Sequence, residues 1–334
     1  MKENSVKNAV FGNLSIPQTS GLSPMASVAD RAYRLIAKKF GAVYLVGEMV
    51  SAQGLCYSSE RSGQLLKVTD EERPMAVQLF GSDPSIMAKA AKIAAQYRPD
   101  IIDINMGCPM PKVTGNGSGG ALMRTPELAA NIVHSVTDAV NVPVTVKIRK
   151  GWDDDTVNAV EFAKLMEKSG CAAICVHGRT VKQIYSGRSD SSIIAEVKAA
   201  VNIPVIGNGD INSGESAMLM YKQTGCDFIM VGRASQGAPW IFREIDSYLR
   251  TGKPAPPPPP DEVIEIMLEH ISLACSVYGE KRGIIESRKH AAWYLKGFHN
   301  AAQLRASCVK IENYQDLKRL ASQAKKLIID LLGN

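Results

Sequence analysis

The sequence predicts an α/β protein built on a (β/α)8 barrel, followed by a small all-helical domain. Three observations predict it. Eight short runs rich in apolar and β-branched residues alternate with longer amphipathic stretches between residues 21 and 240. Seven of these runs end, on their C-terminal side, in polar or glycine residues, which a barrel would gather into one rim. A proline tract at 253–260 then breaks the composition, and only helical spacing follows.

The candidate strands are 22–25, 43–49, 75–80, 101–106, 144–149, 172–177, 205–208 and 228–231. Several are continuous apolar runs, as parallel strands covered on both faces require. Amphipathic stretches at 84–96, 126–139, 156–169 and 189–200 supply helices between them. Eight such repeats suit the roughly 250 residues of a barrel. A doubly wound open sheet is the rival, but no Gly-x-Gly-x-x-Gly follows the first strand. The barrel is expected over residues 1–250, a proline-rich linker over 251–260 and a helical domain over 261–334. Consecutive prolines at 256–260 form a stiff extended rod of about 3.1 Å per residue, which separates two bodies. Asp261, directly after them, is the natural N-cap for a bundle of about four helices.

Composition excludes several classes. The 334 residues are 45% apolar and 22% charged, ordinary for a globular enzyme-sized chain. Nowhere do eighteen apolar residues run together, and residues 1–18 hold no signal-peptide pattern. The expectation is a cytoplasmic protein off the membrane, with no resident metal and no obligate protein partner. Its seven cysteines, scattered without a framework, are then reduced thiols. A net charge of +6 permits nucleic-acid binding without arguing for it.

The chemistry-bearing residues lie at the strand ends: Glu48, Gln78, 105–108, Lys147, 177–179, 208–210, Gly232 and Arg233. Cys108, in Asn-Met-Gly-Cys-Pro-Met-Pro, fits either a small buried residue or a reactive thiol. The flanking Gly107, Pro109 and Pro111 fix a turn that projects it from the rim, which favours the thiol. Lys147 stands among β-branched residues and would leave a charge in low dielectric unless something anionic meets it or it snorkels out. A flavin ring, negative at its reduced N1–C2=O edge, is such a partner. Glycines at 207, 209 and 232, with Arg233, end the last two strands, where barrels commonly seat a phosphate. His177 fits a structural role or a ligand contact equally. The Gly-Asn-Gly-Ser-Gly-Gly loop at 115–120 lacks a P-loop ending and reads as a lid over Cys108. Residues 272–310 carry seven basic residues against two acidic ones, interleaved with Tyr278, His290, Trp293, Tyr294, Phe298 and His299. That pattern suits either a solvated face on an aromatic core or an RNA-backbone surface.

Together these pieces resemble the bacterial tRNA-dihydrouridine synthases, B branch. The matching segments are Ser-Pro-Met-Ala-Ser-Val-Ala-Asp (23–30), Glu-Met (48–49), Gln-Leu-Phe-Gly (78–81), Asn-Met-Gly-Cys-Pro (105–109), Val-Lys-Ile-Arg (146–149), His-Gly-Arg-Thr (177–180), Tyr-Ser-Gly-Arg (185–188), Asn-Gly-Asp-Ile (208–211), Val-Gly-Arg-Ala (231–234) and Arg-Lys-His (288–290). They run in the family's order across about residues 20–305. The family more often has glycine where this chain has Ser27. The resemblance implies an FMN-bound TIM barrel with a helical tRNA-binding domain. It implies that Pro24, Met25, Ala26, Gln78, Lys147, His177, Asn208, Gly209, Asp210, Gly232 and Arg233 hold FMN. Cys108 would be the catalytic acid, and Asn105, Arg179, Arg288, Lys289 and His290 would contact tRNA. The implied reaction passes hydride from FMN N5 to uracil C6 and a proton from Cys108 to C5, with NADPH or NADH recharging the flavin. The target uridine must leave its stack to reach the rim. The alternatives are an FMN-dependent dihydroorotate- or dihydropyrimidine-type dehydrogenase acting on a free small molecule, which would not need residues 261–334, and an RNA-binding module on a vestigial barrel.

Overall fold

Eight parallel strands close into a TIM barrel in the computed structural model, which describes residues 7–57, 60–298 and 300–332. An antiparallel hairpin, β1 (Asn8–Phe11) and β2 (Leu14–Pro17), precedes the barrel. The barrel strands follow as β3 (Gly21–Leu22), β4 (Leu45–Ser51), β5 (Met75–Phe80), β6 (Ile101–Met106), β7 (Val144–Arg149), β8 (Ala173–His177), β9 (Val205–Asn208) and β10 (Phe228–Val231). Each pairs with the next, and β10 closes on β3 through Met230↔Gly21 and Val231↔Leu22.

Two strands differ from expectation. The first is only Gly21–Leu22, because Ser23 makes the last ladder bond, to the Val231 carbonyl, and Pro24 has no N–H to continue it. The second starts later and runs to Ser51; an irregularity between Val46 and Met49 re-aims its end toward the rim. The helices on the outside are placed by local chemistry. Pro84–Ala95, for example, opens on Asp83, whose carboxylate accepts from the Ile86 N–H at 2.9 Å.

Alternation along the strands sorts residues between two cores. Ile102, Ile104, Val144, Val146 and Val176 join the layer between sheet and helices. The inward set starts apolar at the bottom, with Ala76, Ile101, Ala173, Ile206 and Phe228, and turns polar toward the C-terminal rim. The hairpin closes the bottom. Phe11 and Ile16 are fully buried against that inward set, with the Phe11 ring edge-on to Tyr44 and Phe228 at 5.7 Å each. Its Gly12-Asn13 turn places Gly12 at φ +62°, and a Cβ there would sit 2.5 Å from the Pro143 side chain. Phe11→Ala is expected to cost about 3–5 kcal/mol in urea unfolding, since the floor cannot collapse into the space.

After helix Ile241–Thr251 the chain runs extended through the prolines into four described helices: Pro260–Tyr278, Glu280–Tyr294, Ala301–Cys308 and Tyr314–Leu332. The first starts one residue earlier than expected. Pro260 occupies its first turn, where a fixed φ suits and the missing N–H costs nothing, and Asp261 sits inside the turn rather than capping it. These helices share a core with the barrel: Ile36 of helix Arg31–Lys39 and Phe40, its C-cap, pack with Ile264, Met267 and Tyr294. Tyr33 donates to the Ser235 carbonyl and lies against the rings of His270 and His290.

Candidate active site

The rim opens on a cavity of about 670 Å³, within the usual range of roughly 300–1,000 Å³ for cofactor and ligand sites. Its reactive wall is the turn after β6. Asn105 points inward from the strand, and its Oδ1 accepts from the N–H groups of Gly107 at 3.1 Å and Cys108 at 2.9 Å. The turn's carbonyls are held as well. Arg149 Nε donates to Gly107 O at 2.9 Å, and the Gly120 N–H donates to Cys108 O at 2.9 Å. Cys108 is therefore fixed on both sides while its half-buried thiol lines the cavity. Burial pushes that thiol's pKa up, against smaller opposite pulls from the Met110 N–H, Arg149 and Lys147. It is a protonated thiol at neutral pH, suited to giving a proton rather than attacking as thiolate.

Lys147, on the neighbouring strand β7 and in register with Asn105, lines the same cavity and donates to Asn208 Oδ1 at 2.9 Å, an amide rather than a carboxylate. Burial lowers its pKa. Asn208 is held in turn by its own donation to Met230 O at 2.9 Å. His177 is buried beside Lys147, Arg149, Arg179 and Arg233; burial first, then these four cations, keep its imidazole neutral. At the far end Gly209 (φ +120°) and Asp210 (φ +53°) turn sharply, and Asp210 pairs with Arg179 at 2.8 Å and Arg233 at 3.7 Å. A Cβ on Gly232 would meet nothing nearer than 3.8 Å, so that backbone faces open cavity.

Pro24, Met25, Ala26, Gln78, Asn105, Cys108, Lys147, His177, Asn208, Gly209, Asp210, Gly232 and Arg233 thus share one cavity, from seven different strand ends. Arg179 and His290 are not placed to touch a substrate, contrary to expectation. Arg179 is only 2% exposed and spends its guanidinium on Ser186 O, Gly187 O and Asp210. His290 is 1% exposed, wedged among His270, Tyr33 and Trp293. Arg288 and Lys289 lie on the same helix away from the cavity, and Arg288 Nε donates to Ile311 O at 2.8 Å. His299 lies outside the described residues. The loop at 115–120 is not a lid. Gly119 and Gly120 are buried against the Cys108 turn, and a Cβ on Gly120 would come within 2.6 Å of Val181 and 3.0 Å of Cys108 O. Close approach explains these two glycines, whereas the exposed Gly117 serves a turn at φ +72°.

Three participants were missed. Arg149 follows Lys147 by two residues, so strand alternation alone sends both inward. Tyr185, 52% exposed, lines the mouth with its ring 4.1 Å from the Arg233 guanidinium, and nothing in its neighbours' spacing signalled this. Asp103, two residues before Asn105, lies beneath the floor of the cavity and bonds to Gln78.

A family model described as dihydrouridine synthase matches residues 21–329. A tRNA-dihydrouridine synthase B from Pseudomonas aeruginosa is 44% identical over 303 residues, 91% of each chain. One of the same name from Proteus vulgaris is 45% identical over 291 residues, 87% of this chain and 90% of its own. A probable tRNA-dihydrouridine synthase from Rickettsia bellii is 42% identical over 298 residues, 89% of this chain and 91% of its own.

Proposed function

Because this chain belongs to the dihydrouridine synthase family, we propose that it is an oxidoreductase that reduces the C5=C6 bond of uridine in tRNA, with a flavin as cofactor and Cys108 as the acid. The observation that carries the reading is a protonated cysteine, fixed at both neighbouring peptides, facing a cationic cavity at a barrel rim.

The residues present fit a flavin mononucleotide. Lys147 has no carboxylate as its bonded partner, and the open backbone at Gly232 beside Arg233 can be approached closely by a phosphate. Lys147, His177 and Gln78 would hold the ring's polar edge, with Pro24, Met25 and Ala26 against it and Gly209, Asp210, Gly232 and Arg233 at the phosphate end. When bound and reduced, by NADPH or NADH, a flavin supplies hydride to a carbon made electrophilic by conjugation. Cys108 supplies the proton to C5, next to the carbon that receives hydride. Its raised pKa keeps that proton available, and the thiolate left behind is stabilised by Arg149 and Lys147. Asn105 lines the cavity next to the cysteine, where the uracil would lie against it. The helices of 261–334, with the basic stretch 272–310, would supply the tRNA-binding surface.

Incubation of the purified protein with tRNA and NADPH, followed by nucleoside mass spectrometry, should show uridine gaining two hydrogens. Flavin bleached by NADPH with no such gain would instead favour a free small-molecule substrate.

A further inference from the structure

Asp103 is a carboxylate enclosed in the barrel interior, beyond reach of the cavity, and nothing in the proposed chemistry uses it. Its bonds nevertheless lead to the reacting thiol. Thr145 Oγ1 donates to Asp103 Oδ1 at 2.6 Å, and Gln78 Nε2 donates to Asp103 Oδ2 at 2.7 Å. Asn105 Nδ2 donates to Gln78 Oε1 at 2.9 Å, and Asn105 Oδ1 accepts from the N–H groups of Gly107 and Cys108. Each amide thus has its NH2 turned down toward Asp103 and its oxygen turned up toward Cys108.

An amide can be flipped at little cost in shape, so something must choose this direction. The two backbone N–H groups need an oxygen above; an ionised carboxylate can only accept and needs an NH2 below. Reversing the chain would put the Asn105 NH2 against two donors and the Gln78 oxygen against a carboxylate, leaving the Gly107 and Cys108 N–H groups, the Asn105 NH2, the Gln78 oxygen and one Asp103 oxygen unpaired. We propose that Asp103 is a positioning residue whose ionised carboxylate sets the direction of the Gln78–Asn105 amide chain and so holds Cys108 in its reactive orientation. This rests on the reading of Cys108 as the acid for its function, though not for its geometry.

A pH dependence follows. Burial raises the Asp103 pKa to about 6, against the opposing Gln78 and Thr145 bonds and Lys147. The other titratable groups facing it are Tyr44, Cys171 and Cys175, all neutral here because burial pushes the tyrosine well up and each thiol to about 12. Asp103 is therefore ionised above pH 6 and becomes a donor below it. On protonation one Asp103 oxygen becomes a donor, so the carboxyl no longer obliges an NH2 from Gln78; the enforced alignment is present above that pH and is weakened as pH falls.

The test is an amide-resolved NMR titration of the full-length protein as purified, from pH 8 to 5. The Gly107 and Cys108 backbone signals and the Gln78 and Asn105 side-chain signals should move together with a midpoint of about 6. Asp103→Asn should abolish this shared transition. Thr145→Val, which removes one bond to the ionised form, should move the midpoint up by about 0.5–1 pH unit, and it serves alone if the first variant does not fold. The acid limb of tRNA reduction should track the same midpoint in wild type and in Thr145→Val, which a purely structural role would not produce. Silent Gly107 and Cys108 signals in wild type, or a transition unmoved in the variants, overturn the proposal. Signals that follow Asp103 in a protein that reduces no uridine uphold the relay and remove the functional reading. Reduction with silent signals does the reverse.

Discussion

Cys108→Ala should lower the rate of uridine reduction by about 10²–10⁴-fold, the usual worth of a positioned general acid, while cofactor retention and tRNA affinity stay within a few-fold of wild type. The split follows from the geometry. The Cys108 backbone carries the structural bonds, to Asn105 Oδ1 and from Gly120, and alanine keeps both. What disappears is the thiol proton alone, so the loss belongs to kcat rather than KM. The wild-type rate should also have an alkaline limb. Burial holds the thiol above its ordinary value near 8.5, so the proton is present below that raised pKa and is lost as pH climbs through it. Single-turnover oxidation of the reduced enzyme by tRNA measures both, and an unchanged rate in the variant would remove Cys108 from the chemistry.

Lys147→Ala should weaken flavin retention by about 10–100-fold, slow reduction by NADPH, or both, the scale of one charge-assisted hydrogen bond of roughly 1.5–3 kcal/mol. Burial lowers the lysine's pKa and an amide oxygen is its bonded partner, an arrangement that makes sense if an anionic ligand completes the pairing. Asn208 would lose one of its two bonds in the variant but keep its donation to Met230 O, so the floor should survive. Flavin titration of the stripped protein and stopped-flow reduction check the two arms. Wild-type values for both would assign Lys147 to structure only.

Much of this architecture was legible from spacing. Six of the eight strands fall within a residue of the expected ranges, because covered parallel strands must be apolar runs bounded by turns, and 75–80, 101–106 and 144–149 obey that rule fully. The eleven residues that the resemblance assigned to a cofactor lie around one cavity, because strand ends converge in any barrel. What escaped has physical reasons. Hairpin β1–β2 carried a Gly-Asn turn between short runs, but its partner surface, the inside of the barrel floor, exists only after closure. His290 follows two basic residues, and charge spacing alone does not say which side of a helix is buried. The glycine loop was misread because flexibility and close approach favour the same residue. Ser27 shows the converse: where the resemblance leads one to expect glycine, this chain keeps a side chain at φ +60°, its N–H bonded to Glu48 Oε1. Asp103 was hidden inside an otherwise apolar run, and only the bonds leading away from it give it meaning.

The hairpin that seals the barrel floor makes the site a blind cup. Phe11 and Ile16 stop it at one end, so whatever enters must leave by the mouth that Tyr185 and Met110 border. In the proposed reaction, a nicotinamide that recharges the flavin and a uridine splayed out of a folded RNA would both have to use that mouth, and the closed floor would make them take turns above Cys108.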